Sequence, residues 1–164
     1  MIIRVAVLTI SDKGSRGERE DTAGPAVMEM LKNAGAEIIH YEVIPDEADV
    51  ISARIIKLSD ESGAGLIVTA GGTGVSPRDV TPEATRAVID RELPGMAEAM
   101  RAESLKKTPH AMISRAACGI RGKTLIINLP GSLKGAKENL AVVLPAIPHA
   151  IEKICGSNAE CGRS

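Results

Sequence analysis

A chain of 164 residues, 44% apolar, with 20 Lys and Arg against 21 Asp and Glu for a net charge of −1, is long enough to bury a real core in one domain. It has no Phe or Trp and only one Tyr, Tyr41, so the core must be aliphatic, and the absence of stacking aromatics and of like-charge runs argues against nucleic-acid binding. The opening apolar run, residues 2–10, is interrupted by Arg4, is too short to span a bilayer and lacks a signal-peptide pattern, which points to a cytoplasmic protein with no membrane role.

That opening run reads as a first strand, followed by the polar loop Ser11-Asp12-Lys13-Gly14-Ser15-Arg16-Gly17. A helix is expected from Asp21 or Thr22, with Pro25 in its first turn; Val27, Met30, Leu31 and Ala34 keep i, i+3, i+4, i+7 spacing and Gly35 closes it. Residues 38–44 read as a second strand ending at Pro45-Asp46-Glu47. Ala48, Ile51, Ile55 and Leu58 then mark a second helix, up to Gly63, and residues 66–70 a third strand. This β-α-β-α-β alternation is the signature of a parallel sheet with crossover helices.

The third strand runs into Gly71-Gly72-Thr73-Gly74, a turn whose amides can form an anion-binding nest. Asp79 follows, where it could hold a hard cation beside a bound phosphate. Thr81 is suited to cap the next helix, Pro82 to its first position and Glu83 to its first turn. That helix is expected over residues 82–91, with a break at Pro94-Gly95 and another helix from Met96 to about Lys106. Residues 114–120 and 124–129 read as strands joined in a hairpin across Arg121-Gly122-Lys123, giving one antiparallel strand. From Leu140 onward, Val143, Leu144, Ile147, Ile151 and Ile154 form a last apolar face that Pro145 and Pro148 must kink or split. The expected organisation is one α/β domain over residues 1–155, with a disordered tail at 156–164. Cys118, Cys155 and Cys161 have no CxxC spacing, and His40, His110 and His149 form no ligand motif, so free thiols and no zinc site are expected.

Four strands end in small, polar or acidic loops: Ser11-Asp12, Pro45-Asp46-Glu47, residues 71–79, and Asn128-Leu129-Pro130-Gly131-Ser132. Ligands of open parallel sheets bind outside the carboxyl ends of the strands, so adjacent strands would bring these loops to one cleft. It would hold glycine amides for phosphate, hydroxyls from Ser11, Thr73, Ser76 and Ser132, and carboxylates from Asp12, Asp46 and Asp79, a set suited to Mg²⁺-dependent phosphoryl or nucleotidyl chemistry. Each loop taken singly also reads as ordinary turn chemistry. There is no GxxxxGK[ST], the GGTG run is not GxGxxG, and no nucleophile elbow is present.

The stretches 44–47 (IPDE), 69–74 (TAGGTG), 77–85 (PRDVTPEAT), 94–96 (PGM), 113–115 (ISR) and 118–132 (CGIRGKTLIINLPGS) together resemble the MogA/MoaB molybdopterin-binding family of molybdenum cofactor biosynthesis, to which the molybdopterin-binding domain of gephyrin also belongs. The resemblance covers about residues 3–154. It implies a three-layer α/β/α sandwich with a mostly parallel sheet, usually assembled as a homotrimer, with a hexamer as the alternative. It further implies an adenylyltransferase that joins molybdopterin to ATP, releasing pyrophosphate, and transient contact with other enzymes of the pathway. On this resemblance Asp46 and Asp79 are the catalytic, Mg²⁺-associated positions. Gly71, Gly72, Thr73 and Gly74 cradle phosphate, and Ser76, Arg78, Ser114, Pro130, Gly131 and Ser132 line the pterin and its phosphate. Ser11, Asp12, Pro94, Gly95 and Met96 border the nucleotide. The chain lacks the insertion that some bacterial members carry before the final helix. In this it resembles the compact gephyrin and MoaB forms, so the alternative is a non-catalytic molybdopterin-binding MoaB-type paralogue. A scaffolding module is a third reading, with no linker or second domain in the sequence to support it.

Overall fold

The computed structural model describes residues 2–156. In chain order its elements are β1 (Arg4–Ile10), α1 (Asp12–Ser15), α2 (Ala23–Asn33), β2 (Glu37–Ile44), α3 (Ala48–Asp60), β3 (Leu66–Ala70), α4 (Thr81–Arg86), β4 (Arg91–Glu92), α5 (Pro94–Leu105), β5 (Cys118–Arg121), β6 (Thr124–Leu129), α6 (Leu133–Val143) and α7 (Ile147–Ile154). Short 3₁₀ segments at Pro109–Ile113 and Leu144–Ala146 complete the set. The strands form a six-stranded sheet in the order β2-β1-β3-β6-β5-β4. β2, β1, β3 and β6 run parallel, while β5 is antiparallel to both of its neighbours.

Side chains alternate across each strand, so the central strands serve two cores at once. Val5, Val7, Leu66, Val68, Leu125 and Ile127 face one side and pack against Val27 and Leu31 of α2, Met100 of α5, Leu140 of α6 and Ile151 of α7. Ala6, Leu8, Ile10, Ile67 and Ile126 face the other and pack against Ile51, Ile55 and Leu58 of α3 and Ala84 of α4. Helices therefore cover both faces of the sheet, which makes the chain a three-layer α/β/α sandwich. No helix among the described residues is long and apolar enough to cross a membrane. The tail expected at 156–164 lies, apart from Gly156, outside the described residues.

Four local expectations are corrected. The polar loop after β1 contains the short helix α1, because Ser11 Oγ accepts from Gly14 N–H at 3.0 Å and caps it. The helix expected over 82–91 stops at Arg86. Arg91 and Glu92 instead pair with Ile120 and Gly119 as the edge strand β4, which leaves β5 as the one antiparallel strand, as expected. Val80, not Thr81, takes the cap position of α4, and Thr81 is its first, buried residue. The strand expected from Ser114 begins only at Cys118, since Arg115 N–H donates to Thr73 O at 2.8 Å and so docks on the glycine loop instead of the sheet.

Candidate active site

The carboxyl ends of β1, β2, β3 and β6 lie together in the sheet, so the loops that follow them meet above it. They border two cavities. The first, of about 430 Å³, is lined by Gly72, Thr73, Gly74, Asp79, Ser114 and Pro130 and reaches α5 and α6. The second, of about 560 Å³, is lined by Ser11, Asp46, Gly71 and Leu133 and by residues of the segment leading into α2. Gly72, Asp79, Gly131 and Ser132 line both. The cavities are thus two chambers with a common neck.

Glycine makes the neck possible. Gly71 has φ +117° and Gly72 φ +65°, a region costly for any other residue. A Cβ on Gly71 would overlap the carbonyl oxygen of Ile10, and one on Gly72 would overlap Thr81 Oγ1 and crowd Asp46 Oδ1 at 3.1 Å. The loop is held from outside by Arg115. Its Nε donates to Gly74 O at 2.6 Å and its Nη2 to Asp79 O at 2.5 Å, while Nη1 pairs with Glu83 in the first turn of α4. One planar guanidinium therefore fastens both ends of the 74–79 segment to the helix that follows it. Within that segment Asp79 Oδ2 accepts from Ser76 N–H at 2.8 Å. Across the neck, Ser132 Oγ accepts from Gly135 N–H at 3.1 Å and caps α6, so the positive end of that helix faces the shared wall.

The acidic side of the neck is built from a reciprocal pair. Asp12 N–H donates to Asp46 Oδ2 and Asp46 N–H to Asp12 Oδ1, at 2.8 and 3.0 Å. Arg78 grips Asp12 with two parallel bonds of 3.0 Å and reaches Glu47 at 3.8 Å. These bonds from Arg78 hold the Asp12 carboxyl below the usual carboxylate range. Asp46 moves the other way: burial pushes its pKa up, and the charges of Asp12 and Asp79 add to that. Two carboxylates that repel a third, half-buried one are a favourable setting for a divalent cation. Among the described residues no three His, Cys, Asp or Glu side chains converge as a metal cage. A cation here would rest on Asp46 and Asp79 and take its other ligands from phosphate oxygens and water, the arrangement that Mg²⁺ favours. The donor set fits that ion.

Most residues singled out from the sequence meet at this neck or in the chambers. Ser11, Asp46, Gly71, Gly72, Thr73, Gly74, Asp79, Ser114, Pro130, Gly131 and Ser132 line one chamber or both. Asp12, Ser76 and Arg78 stand at the rim, tied to it by the bonds above. Pro94, Gly95 and Met96 open α5 and line neither chamber. Several residues not singled out from the sequence do line them. Arg101 and Ser104 from α5 and Glu138 and Asn139 from α6 wall the first chamber. Asp21 in the second chamber accepts from Thr9 Oγ1 and Tyr41 Oη, both at 2.6 Å, and from Gly24 N–H at 3.0 Å. Burial, then the hydrogen bond to Asp21 and its charge, push the Tyr41 hydroxyl up to about 12, so it stays a donor. No sequence pattern marks such residues, because a polar helix face reads the same whether it meets water or a ligand. Arg115 carried one signal, its place in the ISR stretch.

Residues 6–149 match the family model described as a probable molybdopterin binding domain. The chain is 46% identical over 157 residues to the molybdopterin adenylyltransferase of Helicobacter pylori, covering 94% of this chain and 89% of that protein. It is 44% identical over 146 residues to the molybdopterin adenylyltransferase of Escherichia coli, covering 88% and 75%. Among solved structures, the molybdopterin biosynthesis enzyme MoaB of Thermus thermophilus superposes with a TM-score of 0.90 at 52% identity, covering 95% of this chain and 98% of that one.

Proposed function

The chain belongs to the molybdopterin-binding family of molybdenum cofactor biosynthesis, and from that premise we propose that the two chambers hold molybdopterin and ATP with their phosphates meeting at the neck. The protein is a molybdopterin adenylyltransferase: it transfers AMP from ATP to molybdopterin. An oxygen of the terminal phosphate of molybdopterin attacks the α-phosphorus of ATP. A P–O bond forms there as the bond to the departing pyrophosphate breaks. The observation that carries this arrangement is the neck itself, where Gly72, Asp79, Gly131 and Ser132 belong to both chambers.

Such a transfer depends on positioning and charge neutralisation more than on a protein nucleophile. The first chamber takes the pterin and the second the nucleotide. Gly71, Gly72, Thr73 and Gly74 approach the phosphates with backbone alone, and the capped N-terminus of α6 adds a positive dipole opposite them. Asp46 and Asp79 would hold Mg²⁺, which when bound neutralises phosphate charge as the leaving group departs. Asp12 keeps Asp46 oriented and Arg78 keeps Asp12 oriented. The homotrimer usual in the family is the working assembly, to be checked by light scattering.

The deciding experiment incubates purified protein with molybdopterin, ATP and Mg²⁺ and follows adenylylated molybdopterin by mass. Product that disappears on chelation of Mg²⁺ and in Asp79→Asn supports the reading. Tight molybdopterin binding without product would mark a non-catalytic carrier of the same pathway, and product indifferent to Mg²⁺ would remove the metal assignment.

A further inference from the structure

Molybdopterin has two chemically distinct ends, a terminal phosphate and a pterin. The pterin ring carries a 2-amino-4-oxo edge with adjacent N–H donors at N2 and N3. If the phosphate lies at the neck, the pterin must lie deeper in the first chamber, along α6. Glu138 lines that chamber six residues beyond the Ser132 cap, roughly 9 Å along the helix at a rise of about 1.5 Å per residue.

Among the described residues only two carboxylates line the first chamber, Asp79 and Glu138. Asp79 sits at the neck shared with the nucleotide chamber, and its Oδ2 is already taken by Ser76 N–H. Glu138 lies away from the neck. Its side chain is 30% exposed, and Oε1 is 3.1 Å from Lys107 Nζ, just beyond the end of α5. A carboxylate accepts up to about four hydrogen bonds, so one lysine contact leaves room for two parallel N–H donors. Lys107 also braces Glu138 from outside, so the carboxylate is oriented before a ligand arrives.

We propose that Glu138 is the specificity-determining residue for the pterin, its carboxylate accepting paired hydrogen bonds from N2–H and N3–H of a 2-amino-4-oxopteridine. The pairing is the fork-to-fork kind that carboxylates make with planar N–H donors. The proposal rests on the first chamber being the molybdopterin site. It predicts selection against a 2,4-dioxopteridine, a lumazine, whose C2 carbonyl oxygen would face the Glu138 carboxylate where the amino group belongs. Two acceptors forced together lose both the hydrogen bond and part of the solvation that each had outside.

The test uses the phosphate monoesters of 6-hydroxymethylpterin and 6-hydroxymethyllumazine, titrated calorimetrically into wild type and Glu138→Gln. The wild type should prefer the pterin by about tenfold or more, and the variant should bind the two within about twofold, since a glutamine amide offers a donor as well as an acceptor. With molybdopterin, the same variant should raise KM by about tenfold and change kcat far less, as Glu138 is remote from the reacting phosphate. A wild type that does not discriminate, or a variant that still does, would overturn the proposal. Failure of the functional reading would show elsewhere, as an absence of adenylylated molybdopterin from wild type with ATP and Mg²⁺, whichever way the pteridine preference falls.

Discussion

Asp12 and Asp46 hold each other through reciprocal backbone-to-carboxylate hydrogen bonds of 2.8 and 3.0 Å, although both side chains carry the same charge. The arrangement joins the loops after β1 and β2 into one acidic wall. Its two members respond oppositely, Asp12 eased by Arg78 and Asp46 burdened by burial. A carboxylate kept half-buried beside two others opposes folding, which is expected of a group placed for chemistry.

Asp46→Asn tests that cost. The folded-state pKa of Asp46 is raised above the ordinary 3.8. Between those two values the folded chain binds more protons than the unfolded one, so stability falls as pH rises through the window and stays lower above it. The variant should therefore melt higher than wild type at neutral pH, and the gain should shrink as the pH is lowered toward ~4 and wild-type Asp46 protonates. Adenylyl transfer should fall by about 10²-fold or more. Thermal melts across that pH range, run beside the transfer assay, check both. A variant less stable than wild type at neutral pH would show that the Asp12 bonds outweigh the burial.

Arg115 lines neither chamber, yet it fixes the carbonyls of Gly74 and Asp79 and the Glu83 carboxylate at once. Arg115→Met should leave the strands intact and free the 74–79 segment. Displacing a positioned group by about 1 Å can cost about 10²-fold, so kcat/KM should drop by about 10- to 100-fold. The Mg²⁺ concentration for half-maximal rate should rise as well, which simple destabilisation would not cause. Arg115→Lys should rescue little, because one ammonium cannot span the three acceptors. Mg²⁺ titrations of the three proteins decide it.

How far the sequence led is clearest at the extremes. β3 and β6 coincide with the segments expected, Leu66–Ala70 and Thr124–Leu129, because strands buried on both faces read as mainly Leu, Ile and Val, with no charged residue inside them. β4 was illegible: two exposed charged residues, Arg91 and Glu92, owe their strand geometry to pairing with β5, a tertiary contact. β5 starts four residues later than expected because Arg115 binds the glycine loop and holds residues 114–117 off the sheet. The neck was legible because glycines, prolines and carboxylates cluster at strand ends. The far wall of the first chamber was not, because Arg101 and Glu138 sit on helices whose inward polar side chains have no signature of their own.

Gly72→Ala should damage the site more than the fold. The new methyl meets Thr81 Oγ1 and Asp46 Oδ1, at a residue with φ +65°. The strain costs about 1–2 kcal/mol and the displaced groups add to it. Activity should fall by about 10²-fold while the protein still folds. Gly71→Ala is the harsher change, since its methyl meets the backbone carbonyl of Ile10, which cannot swing away as a side chain can. Soluble yield and urea midpoints of the two variants, with Gly71→Ala the lower in both, check the ordering.

Asn128 supplies a test of how the site is supported from beneath. It is fully buried at the end of β6, where Nδ2 donates to Thr69 Oγ1 at 3.0 Å and to Thr85 Oγ1 at 2.9 Å, and Oδ1 accepts from Ala117 N–H at 3.2 Å. One amide thus ties β3 to α4 and to the segment entering β5, the supports of the glycine loop and of Ser114. Asn128→Leu keeps the bulk but leaves the Ala117 N–H and two threonine hydroxyls without that partner in a dry layer. Buried polar groups stripped of a partner cost about 1–3 kcal/mol each, less where a hydroxyl can turn to a backbone carbonyl, so a net loss of roughly 2–4 kcal/mol is expected from urea denaturation. Asn128→Leu combined with Thr69→Val and Thr85→Val should recover part of that loss, because removing both sides of a buried hydrogen bond costs less than removing one. A triple variant no more stable than the single one would mean that the threonines find other partners and that Asn128 acts through the Ala117 amide alone.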